Sequence, residues 1–333
     1  MDALLIVNEE KKKYLKNLSN ESGVIAALAI DQRGSLKKML AQAAGKPSNE
    51  TDIVEFKKLI SSELTPYASA ILLDPEYGLP AADKRAANAG LLIAYEKTGY
   101  DTTEPGRMPD LLADWSALKL KEAGADAVKF MLYYDVDEPE EINRKKQAFV
   151  ERVGAESAAA GLPFFLELMS YDAKIADTKS KEYAAVKPHK VNAMIKEFAK
   201  DRYLVDVLKV EVPVNMAYVA GYSGENEAVY SKEEAAEYFK EQTKATNNVP
   251  FIFLSAGVSA ELFQETLKFA AAAGSSFNGV LCGRATWRGA IEPFAKEGKE
   301  AGKQWLDDQG RKNIEELNDV LKTTANSLFE KLD

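Results

Sequence analysis

The chain of 333 residues carries 52 acidic and 43 basic side chains, a formal charge of −9 at pH 7, and 46% of its residues are hydrophobic. That acidity argues against a nucleic-acid-binding protein, which needs a positively charged surface for the phosphate backbone. The single histidine and single cysteine argue against a zinc enzyme, because zinc sites draw most of their ligands from these residue types.

The apolar runs and the N-terminus indicate where the protein acts. No run of about 18 apolar residues is present, so we expect no membrane-spanning helix. Residues 1–10 have no basic start before their short apolar run and no typical cleavage site, which argues against a signal peptide. A single cysteine fits a reducing compartment. We therefore expect a soluble cytoplasmic protein.

Eight apolar runs of strand length follow one another along the chain, and amphipathic patterns separate most of them. Nearly continuous apolar runs are typical of parallel strands buried on both faces. The predicted strands lie at 24–31, 70–74, 91–95, 125–132, 163–169, 205–213, 250–255 and 279–284. Apolar residues three or four apart predict helices at 8–20, 50–64, 109–123, 138–160, 186–202, 231–246 and 259–273. The gap after the second strand is predicted to hold only a turn or two of helix.

This alternation of strands and helices predicts the fold class. Eight strands with helices between them indicate an α/β protein with a single (β/α)8 TIM barrel, whose active site lies at the carboxyl ends of its strands. The opening helix is an extra N-terminal helix, and residues 300–333 are predicted to form a C-terminal helical extension over the outside. No internal repeat, low-complexity tract or linker indicates a second domain, so residues 1–333 are predicted to form one domain.

Polar side chains stand within or at the ends of several strands, although a barrel interior is normally apolar. A buried charge is costly unless it is paired or functional, so we expect these side chains to converge on one mouth of the barrel. A structural ion-pair network is the alternative explanation. The residues are Asp31, Lys129, Glu167, Lys209, Ser255 and Arg284.

Three of these residues come from consecutive strands, four to six, and suit imine chemistry. A lysine amine attacks a carbonyl only when it is unprotonated, and burial beside a second cation favours that neutral form. Lys129 is predicted to supply the cation for Lys209, and Glu167 a carboxylate that takes and returns protons. Glu211, two residues after Lys209, is a competing acid–base candidate.

The loops after strands seven and eight indicate a phosphate site. Each contains a glycine, and in TIM barrels these two loops recurrently bind phosphate through backbone N–H groups. A hydroxyl and an arginine fork add side-chain donors. The candidate residues are Ser255, Gly257, Gly283 and Arg284. After strand one, Asp31 offers a carboxylate to sugar hydroxyls, and Arg33 offers a cation for a second phosphate.

Other polar positions are less informative. Segment 171–190 is predicted to be a long lysine-bearing loop above the mouth, either a lid with a phosphate contact or a solvated loop. Segment 97–109 allows the same two interpretations. His189 is interpreted as a surface residue. Cys282, in an apolar strand with no base near it in sequence, is interpreted as core packing.

Seven segments jointly match one known family. They are AIDQRGS (29–35), LDPEYG (73–78), VKF (128–130), LE (166–167), VLKVE (207–211), LSAGV (254–258) and CGRATW (282–287). Together they resemble the class I tagatose 1,6-bisphosphate aldolases. The likeness runs from about Asn8 to the end of the chain, with no departure at the matching positions. The usual setting of that family is the breakdown of lactose and galactose through tagatose 6-phosphate in Gram-positive bacteria.

The resemblance implies reversible cleavage of D-tagatose 1,6-bisphosphate to dihydroxyacetone phosphate and glyceraldehyde 3-phosphate, without metal or cofactor. It also implies loose discrimination among ketohexose bisphosphates. Lys209 would form a Schiff base, Glu167 would transfer protons, and Lys129 and Asp31 would support them. The residues that would bind the substrate are Gln32, Arg33, Ser255, Gly257, Gly283 and Arg284.

Two other functions stay open at this point. A related lysine-dependent aldolase, acting on a sulfonated sugar phosphate or on deoxyribose phosphate, would differ at the second anion pocket around Arg33. A barrel that has lost catalysis and senses sugar phosphates is a different class of protein, and the joint presence of Lys209, Glu167 and Lys129 argues against it. The expected partners are a phosphorylated ketose and triose phosphates, and we expect a homo-oligomer that binds neither nucleic acid nor membrane.

Overall fold

Eight parallel strands close into a barrel, each paired with its neighbours in chain order and the eighth paired with the first. The computed structural model describes residues 8–97, 99–101 and 103–332. The strands are β1 Ile25–Ala29, β2 Ala70–Leu73, β3 Gly90–Ala94, β4 Ala127–Tyr134, β5 Phe164–Ser170, β6 Val207–Val210, β7 Phe251–Leu254 and β8 Gly279–Cys282. All eight predicted strands and the TIM barrel are therefore confirmed.

Helices connect the strands and surround the barrel. The α-helices are α1 Glu9–Leu18, α2 Gly34–Ala44, α3 Glu50–Leu64, α4 Leu79–Ala82, α5 Ala117–Glu122, α6 Glu140–Ala160, α7 Lys181–Phe198, α8 Lys232–Ala245, α9 Ala260–Ala272, α10 Arg284–Trp287, α11 Ile291–Glu297, α12 Lys299–Trp305 and α13 Arg311–Thr324. Shorter helical turns lie at Thr65–Tyr67, Asp201–Tyr203, Met216–Tyr218, Arg288–Ala290, Leu306–Gly310 and Leu328–Lys331. Within the described part of the chain, no helix is long and apolar enough to cross a membrane.

The strands are buried on both faces and separate two apolar layers. Alternate residues such as Ile25, Ala27 and Ala29 form the cluster inside the barrel. The residues between them, Ala26 and Leu28, belong to the larger cluster that packs against the helices. Because side chains alternate along a strand, this division fixes which positions of every strand point into the barrel.

Helix α1 and the end of the chain close the amino-terminal end of the barrel. Leu15 and Leu18 of α1, together with Leu328 and Leu332, belong to the same apolar cluster as the barrel interior. The extra N-terminal helix is therefore confirmed, and it fills the end of the barrel opposite to the carboxyl ends of the strands.

The C-terminal helices form the predicted outer layer. Helices α11, α12 and α13 pack against α2, α3 and α9. Trp287 is fully buried where this layer begins, with its indole N–H donating to the carbonyl of Ala29 at 3.0 Å and its ring meeting Phe56 edge-on at 5.9 Å. The C-terminal helical extension is thus confirmed, although its helices begin at Ile291, before the predicted residue 300.

Two helix boundaries differ from the prediction because serine caps decide them. The predicted helix 109–123 contains only α5, since the side chain of Ser116 accepts the N–H of Lys119 and starts the helix there. Helix α7 begins at Lys181, five residues before the predicted 186, because the side chain of Ser180 accepts the N–H of Tyr183. The second half of the predicted loop 171–190 is therefore helical, and the prediction was wrong there. Helix α2 was not predicted.

Candidate active site

One charged side chain from each of three neighbouring strands points into the barrel. Lys129 on β4, Glu167 on β5 and Lys209 on β6 each lie two residues beyond an apolar interior residue of the same strand. Glu167 and Lys209 are direct partners in the register of β5 and β6. The three side chains are buried, with exposed fractions of 1%, 9% and 5% in chain order.

The carboxylate of Glu167 joins the two lysines. Its Oε1 lies 2.8 Å from Nζ of Lys209, and its Oε2 lies 2.7 Å from Nζ of Lys129. A general acid–base must lie within about 2.6–3.2 Å of the atom whose proton it moves, and Glu167 meets that condition for the amine of Lys209.

Lys129 is surrounded by two further carboxylates. Its Nζ lies 2.9 Å from Oδ2 of Asp31 and 2.5 Å from Oε1 of Glu96. The other oxygen of Glu96 accepts the N–H of Met131 at 3.2 Å. Glu96 was not among the predicted site residues, although a signal was present. It stands two residues after Ala94, an interior position of β3, so its side chain is directed to the mouth.

Burial and charge act in opposite directions on this cluster. Burial raises the pKa of Glu167, but the ammonium groups of Lys129 and Lys209 outweigh it and hold that pKa below its ordinary value. The pKa of Asp31 is lowered by the same balance. Burial lowers the pKa of Lys129, yet its three carboxylate partners outweigh burial and hold that pKa well above its ordinary value. Lys129 therefore stays an ammonium group.

The loops after β7 and β8 meet at Gly257 and Arg284. A Cβ atom at Gly257, where φ is +76°, would lie 3.1 Å from Nη2 of Arg284, so a residue without a side chain lets the guanidinium approach this backbone. Ser255 is buried at the end of β7. At Gly283 a Cβ atom would lie 2.9 Å from the carbonyl oxygen of Ala29. Among the described residues, Arg284 has no carboxylate partner, which leaves its N–H donors for an anion.

A cavity of about 800 Å³ opens beside this contact, towards the outer helices. Its walls include Gly257, Arg284, Arg288 and Trp305. It borders the two glycine loops rather than the cluster around Glu167, so it does not enclose the amines that would meet a carbonyl group.

Comparison with known proteins identifies the family. Residues 25–289 match the DeoC/LacD family aldolase. The chain is 62% identical over 329 residues to tagatose 1,6-diphosphate aldolase 2 of Enterococcus faecalis, covering 99% of this chain and 98% of the relative. It is 58% identical over 328 residues to tagatose 1,6-diphosphate aldolase 2 of Streptococcus mutans, covering 98% and 99%. The chain belongs to the DeoC/LacD family of aldolases. It is therefore a lyase.

Two solved structures share the fold of this aldolase. The fructose-bisphosphate aldolase of Plasmodium falciparum superimposes with a TM-score of 0.71 at 18% identity, covering 100% of this chain and 99% of that one. A Schiff-base-forming fructose-1,6-bisphosphate aldolase gives a TM-score of 0.57 at 16% identity, covering 94% and 99%. At such identities the likeness shows the fold alone.

Arg33 of this aldolase is bound within the protein. Its side chain is 5% exposed, with Nη1 lying 2.7 Å from Oε2 of Glu76 and Nη2 donating to the carbonyl of Glu96 at 2.8 Å. Arg33 therefore braces the segment that carries Glu96. Gln32 lies near Gly283, where a Cβ atom would be 3.6 Å from its Nε2. The substrate-binding roles of Gln32 and Arg33 stay predictions.

Glu211, the competing acid–base candidate, lies in a different cluster from Lys209. Its Oε2 accepts the N–H and the hydroxyl of Ser170 at 2.7 and 2.5 Å, and its Oε1 lies 3.8 Å from Nζ of Lys187. Strand β6 ends at Val210, so the alternation that would point Glu211 beside Lys209 stops before it.

His189 and Cys282, interpreted from the sequence as a surface residue and a core residue, have the predicted exposure. His189 has a side chain that is 59% exposed and lies 3.0 Å from Oδ1 of Asp137. Cys282 is buried, and its sulfur accepts the hydroxyl of Thr286 at 3.4 Å. Among the described residues, no three histidine, cysteine or acidic side chains are arranged to hold a metal ion.

Proposed function

We propose that this aldolase reversibly cleaves D-tagatose 1,6-bisphosphate to dihydroxyacetone phosphate and D-glyceraldehyde 3-phosphate through a Schiff base on Lys209. The relatives that match nearly its whole length carry tagatose 1,6-diphosphate in their names. The observation that supports the mechanism is a contrast between two buried lysines. Lys129 forms ion pairs with three carboxylates, whereas among the described residues Lys209 forms an ion pair only with Glu167, which it shares with Lys129. Lys209 is thus the lysine with fewer carboxylate partners, and the one whose Nζ is left to meet a carbonyl group.

In the cleavage direction, the neutral amine of Lys209 adds to the C2 carbonyl to form a carbinolamine. Before the attack, Glu167, 2.8 Å from Nζ, takes one proton from the ammonium group of Lys209 and so frees the amine. After the attack one N–H proton moves to the C2 oxygen, and the protonated Glu167 then gives its proton to the C2 hydroxyl, which leaves as water. The iminium then accepts the electron pair of the C3–C4 bond as the C4 hydroxyl gives its proton to Glu167, which is ionised again. Glyceraldehyde 3-phosphate leaves, and an enamine stays on Lys209. Glu167 returns that proton to C3, and hydrolysis of the resulting iminium releases dihydroxyacetone phosphate and restores the amine.

Lys129 acts in this scheme as a fixed cation. Its ammonium group lies against Glu167 and Asp31 and helps to lower the pKa of both, so each carboxylate starts the cycle ionised. An ionised Glu167 is ready to accept the first proton. Asp31 has a side chain that is 13% exposed at the mouth, where its carboxylate is placed to accept a hydrogen bond from a sugar hydroxyl.

The phosphate beside the ketone is proposed to lie between the loops after β7 and β8. Strand β7 pairs directly with β6, which carries Lys209, so a carbonyl carbon at Lys209 places its C1 phosphate one strand away. Arg284 would donate to that phosphate, together with Ser255 and the backbone N–H groups at Gly257 and Gly283.

Borohydride trapping tests this proposal. The protein is incubated with dihydroxyacetone phosphate and sodium borohydride in the presence of EDTA, and the modified peptide is mapped by mass spectrometry. We expect a reduced adduct on Lys209 and none in a Lys209→Met variant. An adduct on Lys129 would reverse the roles of the two lysines. A folded protein that binds the ligand but forms no adduct would favour a sugar-phosphate sensor.

We further propose that fructose 1,6-bisphosphate is also cleaved, because it differs from the tagatose ester only in the configuration of the C4 hydroxyl. The two values of kcat/KM are expected to lie within about tenfold, since one hydroxyl contact is worth about 1 kcal/mol. Both substrates carry phosphate charges that oppose passage through a bilayer, so we place the enzyme in the cytoplasm, where such esters are formed. A homo-oligomer stays a prediction that light scattering tests.

A further inference from the structure

Arg107 lies above the mouth of the barrel, in the segment between β3 and α5. Its guanidinium carbon is 4.2 Å from the ring centroid of Tyr171, 5.0 Å from that of Tyr100 and 5.4 Å from that of Tyr133. Tyr133 is the last interior-facing residue of β4, four residues and about 13 Å beyond Lys129 along the strand. Tyr171 follows β5. Three rings therefore hold one cation over the β4–β5 side of the mouth.

The N–H groups of Arg107 are not occupied by an acid. Among residues 8–97, 99–101 and 103–332, no carboxylate forms an ion pair with Arg107 and no group accepts a hydrogen bond from its side chain. A ring beside a guanidinium contacts its flat face and leaves the in-plane N–H donors open. Arg33 differs, because its Nη1 and Nη2 are bound to Glu76 and to the carbonyl of Glu96.

The backbone places Arg107 in this position. Its φ is +49°, in the left-handed region that a residue with a Cβ atom adopts only where the surrounding structure requires it. Gly106, at φ +90°, lies against α6, where a Cβ atom would be 2.4 Å from Cγ2 of Ile142. The turn at residues 106–107 therefore packs against α6, and this packing fixes the backbone from which the side chain of Arg107 extends.

The barrel sets Arg107 across the mouth from the glycine loops. Strand β4 lies four strands from β8 in the closed barrel, which is the opposite side, and Lys209 stands between them on β6. Burial raises the pKa of Tyr133, Glu167 raises it further and Arg107 opposes the rise, so this hydroxyl lies in the fields of both charged groups. An open-chain ketohexose bisphosphate has the same layout, with a phosphate at each end and its carbonyl near one of them.

We propose that Arg107 binds the C6 phosphate of the open-chain substrate and makes the enzyme select bisphosphates over monophosphates. This assignment rests on the proposed function, since it needs the ketone at Lys209 and the first phosphate near Arg284. An arginine fork gives a phosphate two parallel N–H···O bonds. The tyrosine rings orient the guanidinium group of Arg107 but carry no charge that would neutralise it, so its positive charge attracts the C6 phosphate dianion.

The test compares two substrates in two variants. Wild type, Arg107→Met and Arg107→Lys are assayed for kcat/KM with tagatose 1,6-bisphosphate and with tagatose 1-phosphate, which lacks the C6 phosphate. Arg107→Met is expected to lose at least about 100-fold with the bisphosphate, because two charge-assisted hydrogen bonds are lost, and less than about twofold with the monophosphate. Arg107→Lys is expected to recover part of the loss, since it keeps the charge but not the fork.

A matched control is Arg202→Met, which removes an exposed arginine after α7, at the amino-terminal end of the barrel. It is expected to change neither rate. An equal loss of Arg107→Met on both substrates, or no loss on the bisphosphate, would overturn the role of Arg107. Trapping of dihydroxyacetone phosphate separates the two proposals, because that ligand has no second phosphate. If the wild type forms no adduct, the Schiff base itself is wrong. If wild type and Arg107→Met form the adduct equally and have the same ratio of kcat/KM for bisphosphate over monophosphate, only the role of Arg107 is wrong.

Discussion

Two buried lysines of this aldolase each lie among three carboxylates, one inside the barrel and one outside it. The carboxylates around Lys129 belong to Asp31, Glu96 and Glu167, and those around Lys190 on α7 belong to Asp135, Asp137 and Asp172. Burial lowers the pKa of both lysines, but the carboxylates outweigh it and hold both above the ordinary value. The difference is a second lysine. Lys209 shares Glu167 with Lys129, whereas no second lysine in the described chain shares an aspartate with Lys190.

This difference separates the proposed catalytic cluster from a structural one. Lys190 lies 2.5 Å from Asp135, just after β4, and 2.8 Å from Asp172, just after β5, so it ties two neighbouring segments to α7. In this cluster every charged group has a partner of opposite sign, and among the described residues it holds no second lysine that could act as a nucleophile. Around Glu167, one amine is held charged by three carboxylates while the other has a single one. Imine chemistry needs that inequality, and ion pairing alone does not supply it.

Removing the amine nucleophile should give the largest effect. Lys209→Met is expected to lower kcat for cleavage by at least about 1,000-fold, because the covalent route is lost, while binding of dihydroxyacetone phosphate largely survives. Steady-state assays and isothermal titration measure the two quantities. The matched variant Lys190→Met, assayed under conditions in which it is folded, is expected to retain turnover and to form the borohydride adduct. Rapid cleavage by Lys209→Met would mean that the imine mechanism is wrong.

Removing Glu167, the proposed proton-transfer group, should give the second-largest loss of activity. Glu167→Gln keeps the shape of the side chain and is expected to lower kcat by about 100- to 10,000-fold, the usual contribution of general acid–base catalysis. The control is Glu211→Gln, expected to lose less than about tenfold because its carboxylate is bound to Ser170 rather than to Lys209. If Glu211→Gln lost more than Glu167→Gln, the two acids would exchange roles.

The two three-carboxylate clusters should affect stability alike and activity differently. Lys129→Met and Lys190→Met each leave buried carboxylates without their cation, which typically costs about 3–5 kcal/mol of unfolding free energy. Urea unfolding measures that loss for both. Only Lys129→Met is also expected to reduce kcat, because it removes the cation beside Glu167. A stable Lys190→Met protein would show that its aspartates find other partners or take up protons.

The sequence predicted the barrel well because strands buried on both faces leave continuous apolar runs. It predicted Asp31, Lys129, Glu167 and Lys209 for the same reason, since a charge within such a run is conspicuous. It missed Glu96, which follows the end of an apolar run, so that only the register of β3 directs it to the mouth.

Contacts between distant segments were not accessible from the sequence. Arg33 was predicted to offer a cation for a second phosphate, and the structure pairs it with Glu76, 43 residues away, a contact that no local pattern indicates. Helix α7 was predicted to start five residues too late, because its start depends on one capping hydrogen bond of Ser180 and not on the apolar periodicity. Arg107 stands in an irregular segment, where neither strand nor helix periodicity indicates a direction for its side chain.

Another buried lysine, Lys146, sharpens the comparison through pH. Nζ of Lys146 lies 3.5 Å from one carboxylate, that of Glu138, and burial lowers its pKa to about 8, more than Glu138 raises it. The folded protein therefore releases this proton near pH 8, whereas the unfolded chain holds it to about 10.5. Because the unfolded state binds more protons in that window, the free energy of unfolding should rise with pH, by about 1 kcal/mol between pH 7 and pH 9.

Lys146→Met should lack this rise, which urea unfolding at several pH values measures against the wild type. Burial also lowers the pKa of Lys331 to about 8, but that lysine is present in both proteins, so the difference between the two curves isolates Lys146. Parallel curves would contradict the assignment. A difference of the expected sign would show that the one carboxylate beside Lys146 does not offset burial, in contrast to the three around Lys129 and around Lys190.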